Sequence, residues 1–196
     1  SIIIPQKKLL FSASEVQGKT INNSKVEIFT DNVEIIDDEI KLLANQAIHF
    51  KDKQKVVIED NVIMISKKDS LFCDKLILFQ NKNDNIYQAK GNIVFKQANR
   101  TLYCDSLTYW KETDYIKAES NIIINELDRI VRSDSALINY ENSLIQKIEI
   151  ISNASILSTR YGKIHSNSNE QPVQDNIQGN QIILNFNNNE KINNVK

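Results

Sequence analysis

The chain has 196 residues, a net charge of −1 with 25 % charged side chains, and 41 % hydrophobic residues, enough for one domain or one elongated array with a core. No basic block occurs, which argues against nucleic acid as a partner. No run approaches the ~18 apolar residues of a membrane helix.

Residues 1–9 read as an N-terminal extension. Ser1-Ile2-Ile3-Ile4-Pro5 is too short and too uncharged for a signal peptide, so the expectation is an export signal already removed. From residue 10 onward the chain repeats. An Asn followed by an apolar residue recurs as Asn32-Val33, Asn61-Val62, Asn92-Ile93, Asn121-Ile122 and, weaker, Asn153-Ala154, at steps of 29, 31, 29 and 32 residues. A second mark lies 13 residues after each of the first four: Ala44-Asn45, Cys73-Asp74, Cys104-Asp105 and Ser133-Asp134. Polar breaks follow at Lys51-Asp52-Lys53, Asn81-Lys82-Asn83-Asp84, Lys111-Glu112-Thr113-Asp114 and Glu141-Asn142-Ser143. Periods of this length mark supersecondary units stacked on one shared core.

Each unit reads as a pair of strands. In the first, Tyr87, Ala89, Gly91, Ile93 and Phe95 fall on one face and Gln88, Lys90, Asn92 and Lys96 on the other, the alternation of a half-buried strand. The second strand carries a small residue before its mark (Ala44, Cys73, Cys104, Ser133) and an apolar one three positions later (Ala47, Leu76, Leu107, Ala136). Those positions lie on opposite faces of a regular strand, so a bulge or bend is expected at the mark. With only 4 Gly and 2 Pro, Asn must supply many turns, since it tolerates left-handed backbone well. Residues 160–175 break the rhythm and read as a loop insertion. Residues 177–196 begin another unit and stop inside it, so domain 10–196 is expected to be truncated at its C-terminus. The fold class is all-β, as a jelly roll, a sandwich or a β-solenoid.

Val26-Glu27-Ile28-Phe29-Thr30-Asp31-Asn32-Val33-Glu34-Ile35, Ala89-Lys90-Gly91-Asn92-Ile93-Val94-Phe95 and Leu102-Tyr103-Cys104-Asp105-Ser106-Leu107 together resemble the OstA-like family. This is the periplasmic lipopolysaccharide-transport fold shared by LptA, LptC and the N-terminal domain of LptD. Ser12-Ala13-Ser14-Glu15 resembles the strand that opens such domains. The Gly that precedes the Asn in the family is kept only as Gly91, with Asp31, Asp60, Ser120 and Ser152 elsewhere. The resemblance implies an open β-jelly roll of the LptA/OstA type whose interior is an apolar trough for lipid A acyl chains. The inward residues that would line it are Phe29, Val33, Ile35, Ile58, Val62, Met64, Ile93, Phe95, Ile122 and Ile124. It further implies a periplasmic bridge component that carries lipopolysaccharide toward the outer membrane. Its partners would be lipopolysaccharide or lipid A, other Lpt components through edge-strand pairing, and further copies of itself head to tail. A structural or interaction β-solenoid scaffold with a closed core is the alternative.

Nothing in the chain points to catalysis or a cofactor. There is no CxxC, HExxH, Gly-rich phosphate loop or GxSxG elbow, and the two histidines, His49 and His165, read as surface residues. Asp37-Asp38-Glu39 reads as solvated turn charge, and Trp110, Tyr109 and Tyr103 as packing or edge residues. Cys73 and Cys104 occupy the same position of consecutive units. Two small buried thiols is the favoured reading, and a disulfide between adjacent rungs in an oxidising compartment is the other.

Overall fold

The computed structural model describes residues 9–67, 69–80, 84–141, 144–162, 171–187 and 192–196. Its strands are β1 (Leu10–Ser12), β2 (Glu15–Ile21), β3 (Ser24–Asp37), β4 (Ile40–Phe50), β5 (Lys55–Ser66), β6 (Asp69–Gln80) and β7 (Asn85–Gln97). They continue as β8 (Arg100–Trp110), β9 (Tyr115–Glu126), β10 (Arg129–Glu141), β11 (Leu144–Gly162), β12 (Gln171–Phe186) and β13 (Ile192–Val195). From β3 onward each strand pairs antiparallel with the next, so the sheet is one long meander. At its first edge two short strands share β3: β2 lies along Ser24–Thr30 and β1 along Glu34–Ile36.

The repeated Asn is where each odd-numbered strand from β3 to β11 folds over. Asp31-Asn32, Asp60-Asn61, Gly91-Asn92, Ser120-Asn121 and Ser152-Asn153 all have positive φ, between 46° and 75°. Two left-handed residues in succession break the ladder, and the register shifts there, as between Thr30 and Val33, Glu59 and Val62, and Lys90 and Ile93. The even-numbered strands shift opposite these points, between Leu43 and Gln46, Phe72 and Lys75, and Arg132 and Ser135. The expected bend is therefore present. It lets both residues of each small–apolar pair turn inward: Cys73 and Leu76 are 7 % and 0 % exposed, Ser133 and Ala136 6 % and 0 %.

The two sequence marks meet at this corner. Asn92 Nδ2 donates to Asp74 Oδ2 at 2.9 Å, Asn121 to Asp105 at 2.6 Å and Asn153 to Asp134 at 2.7 Å. These three Asn thus bond the Asp of the preceding unit, and Asn32 donates to Ser14 Oγ at 3.1 Å in the same role. At Gly91 the fit is tight, since a Cβ there would lie 2.3 Å from Asp74 Oδ2.

Folding strands β3 to β11 at their middles yields two facing walls with the apolar core between them, the open jelly-roll class expected. Ile35, Leu42, Ile58, Leu76, Leu78, Ile93 and Ile150 are almost fully buried in that core. Within the stretch expected to be an inserted loop, the described flanks are strand: β11 and β12 pair through Arg160↔Val173, Tyr161↔Pro172 and Gly162↔Gln171. Residues 163–170 of that stretch, and 1–8 of the expected N-terminal extension, lie outside the described residues.

Candidate functional site

The free margins of the two walls approach each other along a seam, and polar side chains fasten it at two places. At the first, Asp37 at the end of β3 is 2 % exposed and accepts hydrogen bonds from three residues 48 to 74 positions away. They are the Tyr87 hydroxyl, Asn85 Nδ2 at 2.9 Å and Lys111 Nζ at 2.8 Å. Lys111 also reaches Asp38 Oδ2 at 2.7 Å. Burial, then the Asp37 charge, raises the Tyr87 phenol well above its ordinary range, so it remains a donor. Burial is the largest single effect on Lys111 and acts to lower its pKa. The hydrogen bonds and charges of Asp37 and Asp38 outweigh it, and the ammonium is held above its usual value. Asp37, read from sequence as solvated turn charge, is instead the centre of this clasp. It sits at the end of a strand whose margin closes onto another strand's start, which no local pattern encodes.

At the second place Tyr140 Oη donates to Gln97 Oε1 at 3.3 Å, and Gln97 Nε2 donates to Asp69 Oδ2 at 3.1 Å. Just beyond, Arg100 pairs with Glu126, which also holds Arg129 at 2.6 Å, and the Arg100 guanidinium lies 4.7 Å from the Phe186 ring centre.

Between the two clasps the seam opens into a cavity of about 360 Å³. Its floor is Met64, Leu71, Leu76, Ala89, Phe95, Leu107 and Ile116, drawn from both walls, and the rings of Tyr87, Tyr109 and Tyr140 stand at its sides. Asp38, Glu39, Lys67, Asp69, Lys111 and Asp114 form the rim. Past the second clasp the space closes to about 10 Å³ among Leu102, Ile124, Ile138, Ile145 and Ile148, room for about one water.

The ten residues singled out from sequence all reach this interior. Phe29, Val33, Ile35, Ile58, Val62, Ile93, Ile122 and Ile124 are in the buried core, and Phe95 packs against it half-buried. Only Met64 and Phe95 of the ten line the cavity, while Phe95 and Ile124 border the small void. The sequence reading placed Tyr87 and Ala89 on the apolar face, Leu76 and Leu107 after the second mark and Tyr109 among packing residues, but assigned neither these nor Leu71, Lys111, Ile116 and Tyr140 to the trough. The repeat carried part of that signal, since Leu76 and Leu107 are the apolar residues three positions after the second mark.

Cys73 and Cys104 are free, buried thiols, and burial pushes both pKa values up to about 12. They are not on adjacent rungs. A unit contains two strands, so β7 lies between β6 and β8, which puts the two backbones about 9–10 Å apart. A disulfide spans at most ~7 Å between Cα atoms. His49 stacks on Phe11 at 4.8 Å with Nδ1 3.6 Å from Glu27, and burial holds its pKa down. It is half-buried rather than at the surface, and His165 lies outside the described residues. Among the described residues, no group of three or more His, Cys, Asp or Glu side chains could hold a metal ion.

No curated protein matches this sequence. The fold is similar to the crystal structure of LptH from Pseudomonas aeruginosa, described as the LptA-homologous periplasmic component of the conserved lipopolysaccharide transport device. The TM-score is 0.52 at 11 % identity, covering 70 % of this chain and 93 % of that one, a likeness of fold. Residues 63–164, the stretch that contains the second clasp and all of the cavity floor, match the model of the family described as OstA-like protein. That match spans more than half of the sequence, and the chain belongs to the OstA-like protein family.

Proposed function

We propose that this chain is a non-enzymatic, periplasmic component of a lipopolysaccharide-transport bridge, and that it holds a lipid acyl chain in the cavity between its walls. The observation that carries this reading is an apolar-floored cavity of about 360 Å³, open at the seam of an OstA-like fold. Its volume is at the lower end of the ~300–1,000 Å³ of small-molecule sites, which suits one chain rather than several. Burying ~12–14 carbons at ~0.8 kcal/mol per CH₂ is worth about 10 kcal/mol gross. Ordering of the chain and imperfect desolvation take back much of it.

In this reading Met64 and Phe95 touch the lipid directly. Phe29, Val33, Ile35, Ile58, Val62, Ile93, Ile122 and Ile124 are the packed apolar face that a longer trough would expose when the walls part. The partners are lipopolysaccharide or its lipid A part, and neighbouring bridge proteins. Among the described residues the sheet runs from β1 and β2 at one margin to β13 at the other, and such margins suit strand addition, including head-to-tail stacking of copies.

Native mass spectrometry of the protein with lipopolysaccharide tests the reading, with a photo-crosslinking residue placed at Phe95. A stoichiometric adduct crosslinked at Phe95 and lost in Ile93→Glu supports it. A folded protein that gives no adduct overturns it in favour of a closed scaffold, the reading that the solid packing around Ile124 and Ile138 favours.

A further inference from the structure

The cavity stops abruptly, and it stops at the same level on both walls. On one wall the paired row Leu71↔Phe95↔Leu102↔Ile124 crosses from β6 to β9. Leu71 lines the cavity of about 360 Å³, whereas Leu102 and Ile124 line the void of about 10 Å³. On the other wall the row Tyr109↔Ile116↔Ile138↔Ile148 passes from cavity to void between Ile116 and Ile138. Among the described residues, only Phe95 and Tyr140 border both spaces. Tyr140 is fixed from two sides: its hydroxyl donates to the buried Gln97 at 3.3 Å and its backbone N–H to the Asp114 carbonyl at 3.1 Å. Both rows stay apolar past this level, so ring bulk ends the space and a change of polarity does not.

We infer that the Phe95 and Tyr140 rings are the end wall of the cavity and set the length of aliphatic chain it accepts. The inference rests on the proposal that the cavity takes an acyl chain, and it adds the size class of that chain. An apolar cavity of ~150 Å³ holds the six carbons of benzene, so at roughly 25 Å³ per carbon a space of about 360 Å³ holds about 14. Each CH₂ that fits leaves water and strengthens binding about fourfold. Carbons beyond that number meet the two rings, remain at the open seam and add nothing.

The test is displacement of a fluorescent fatty-chain probe by the alkyl maltosides from octyl to octadecyl, which share one uncharged head. Each is used below its micellar concentration, with circular dichroism confirming the fold. Wild-type affinity should rise about fourfold per carbon as far as tetradecyl and then level off. Phe95→Leu removes three carbons from the end wall and Phe95→Ala six. With partial relaxation of the walls, the break should move by about two carbons in the first and about four in the second. Leu102→Ala opens space behind the rings but leaves them standing, so its break should stay at tetradecyl. Affinity still climbing about fourfold per carbon from tetradecyl to octadecyl in the wild type overturns the inference and leaves the lipid site standing. So does a break unmoved in folded Phe95→Leu, or one moved as far by Leu102→Ala. Failure of every maltoside to displace the probe from folded protein removes the lipid site and this inference with it.

Discussion

Ala89 and Ala118 form a natural control pair for the cavity. They occupy the same position in consecutive units and flank Leu107: Ala89 pairs with Leu76 and Leu107, Ala118 with Leu107 and Ala136. Both are buried, at 1 % and 0 % exposure, but only Ala89 lines the cavity. Replacing either with Leu adds three carbons. At position 89 they enter open volume and gain up to ~2.4 kcal/mol of burial at ~0.8 per carbon, less ~0.5–1 for fixing the rotamer and more for small shifts of the walls. Ala89→Leu should therefore be neutral to about 1 kcal/mol more stable. At position 118 the same carbons enter solid packing, where overfilling costs ~1–3 kcal/mol. A gap of about 2 kcal/mol corresponds to roughly 1 M in urea midpoint for an m-value near 2 kcal/mol/M. Probe binding should run the other way, weakened at least tenfold in Ala89→Leu and unchanged in folded Ala118→Leu. Equal losses of stability in the two variants would refute the reasoning, because they would mean that no usable space exists beside Ala89.

Asp37→Ala leaves Lys111 and the Tyr87 hydroxyl short of a partner inside the seam and should cost about 3 kcal/mol in urea titration. Tyr87→Phe, which removes one hydrogen bond only, should cost about 1 kcal/mol. Stability should fall at alkaline pH. Tyr87, Tyr109 and Lys111 all have raised folded pKa values, so their contributions are complete below the unfolded values near ~10 and are lost as pH rises through the folded ones. Thermal melts from pH 8 to 11 check this, and a flat profile would contradict it. Both thiols should resist iodoacetamide at pH 8 in the native protein and react after unfolding, given pKa values near 12. At the corners, Ser120→Gly should stabilise by about 0.5–1 kcal/mol by relieving φ of 66°. Gly91→Ala should destabilise by at least that much, because its Cβ displaces Asp74 from Asn92.

Sequence reading reached what is local and repeated. The Asn spacing located every corner, because the residue that tolerates left-handed backbone must recur wherever a strand folds over. The small–apolar pair located the opposite bend for the same reason. The OstA-like resemblance, carried by those signals, pointed to the fold that the family match supports. The seam was illegible. Asp37, Tyr87, Lys111 and Tyr140 come from margins that meet only after the sheet has rolled, and their sequence neighbourhoods carry no sign of it. The cavity sits where two margins fail to close, so its lining could be read only in part, through Met64 and Phe95, the alternating Tyr87 and Ala89, and Leu76 and Leu107 after the second mark. The expected nearness of Cys73 and Cys104 overlooked the first strand of the later unit, β7, which lies between them.

The first clasp has a consequence for how the molecule comes apart. In a meander whose strands touch only their sequence neighbours, hydrogen exchange should report fraying from either end, one hairpin at a time. The Asp37 hydrogen bonds instead tie the end of β3 to the start of β7 and to the turn after β8. Strands β3 through β8 should therefore open as a single cooperative block, to which the Tyr140–Gln97 bond joins β10, leaving β13 and its pairing with β12 to unzip first.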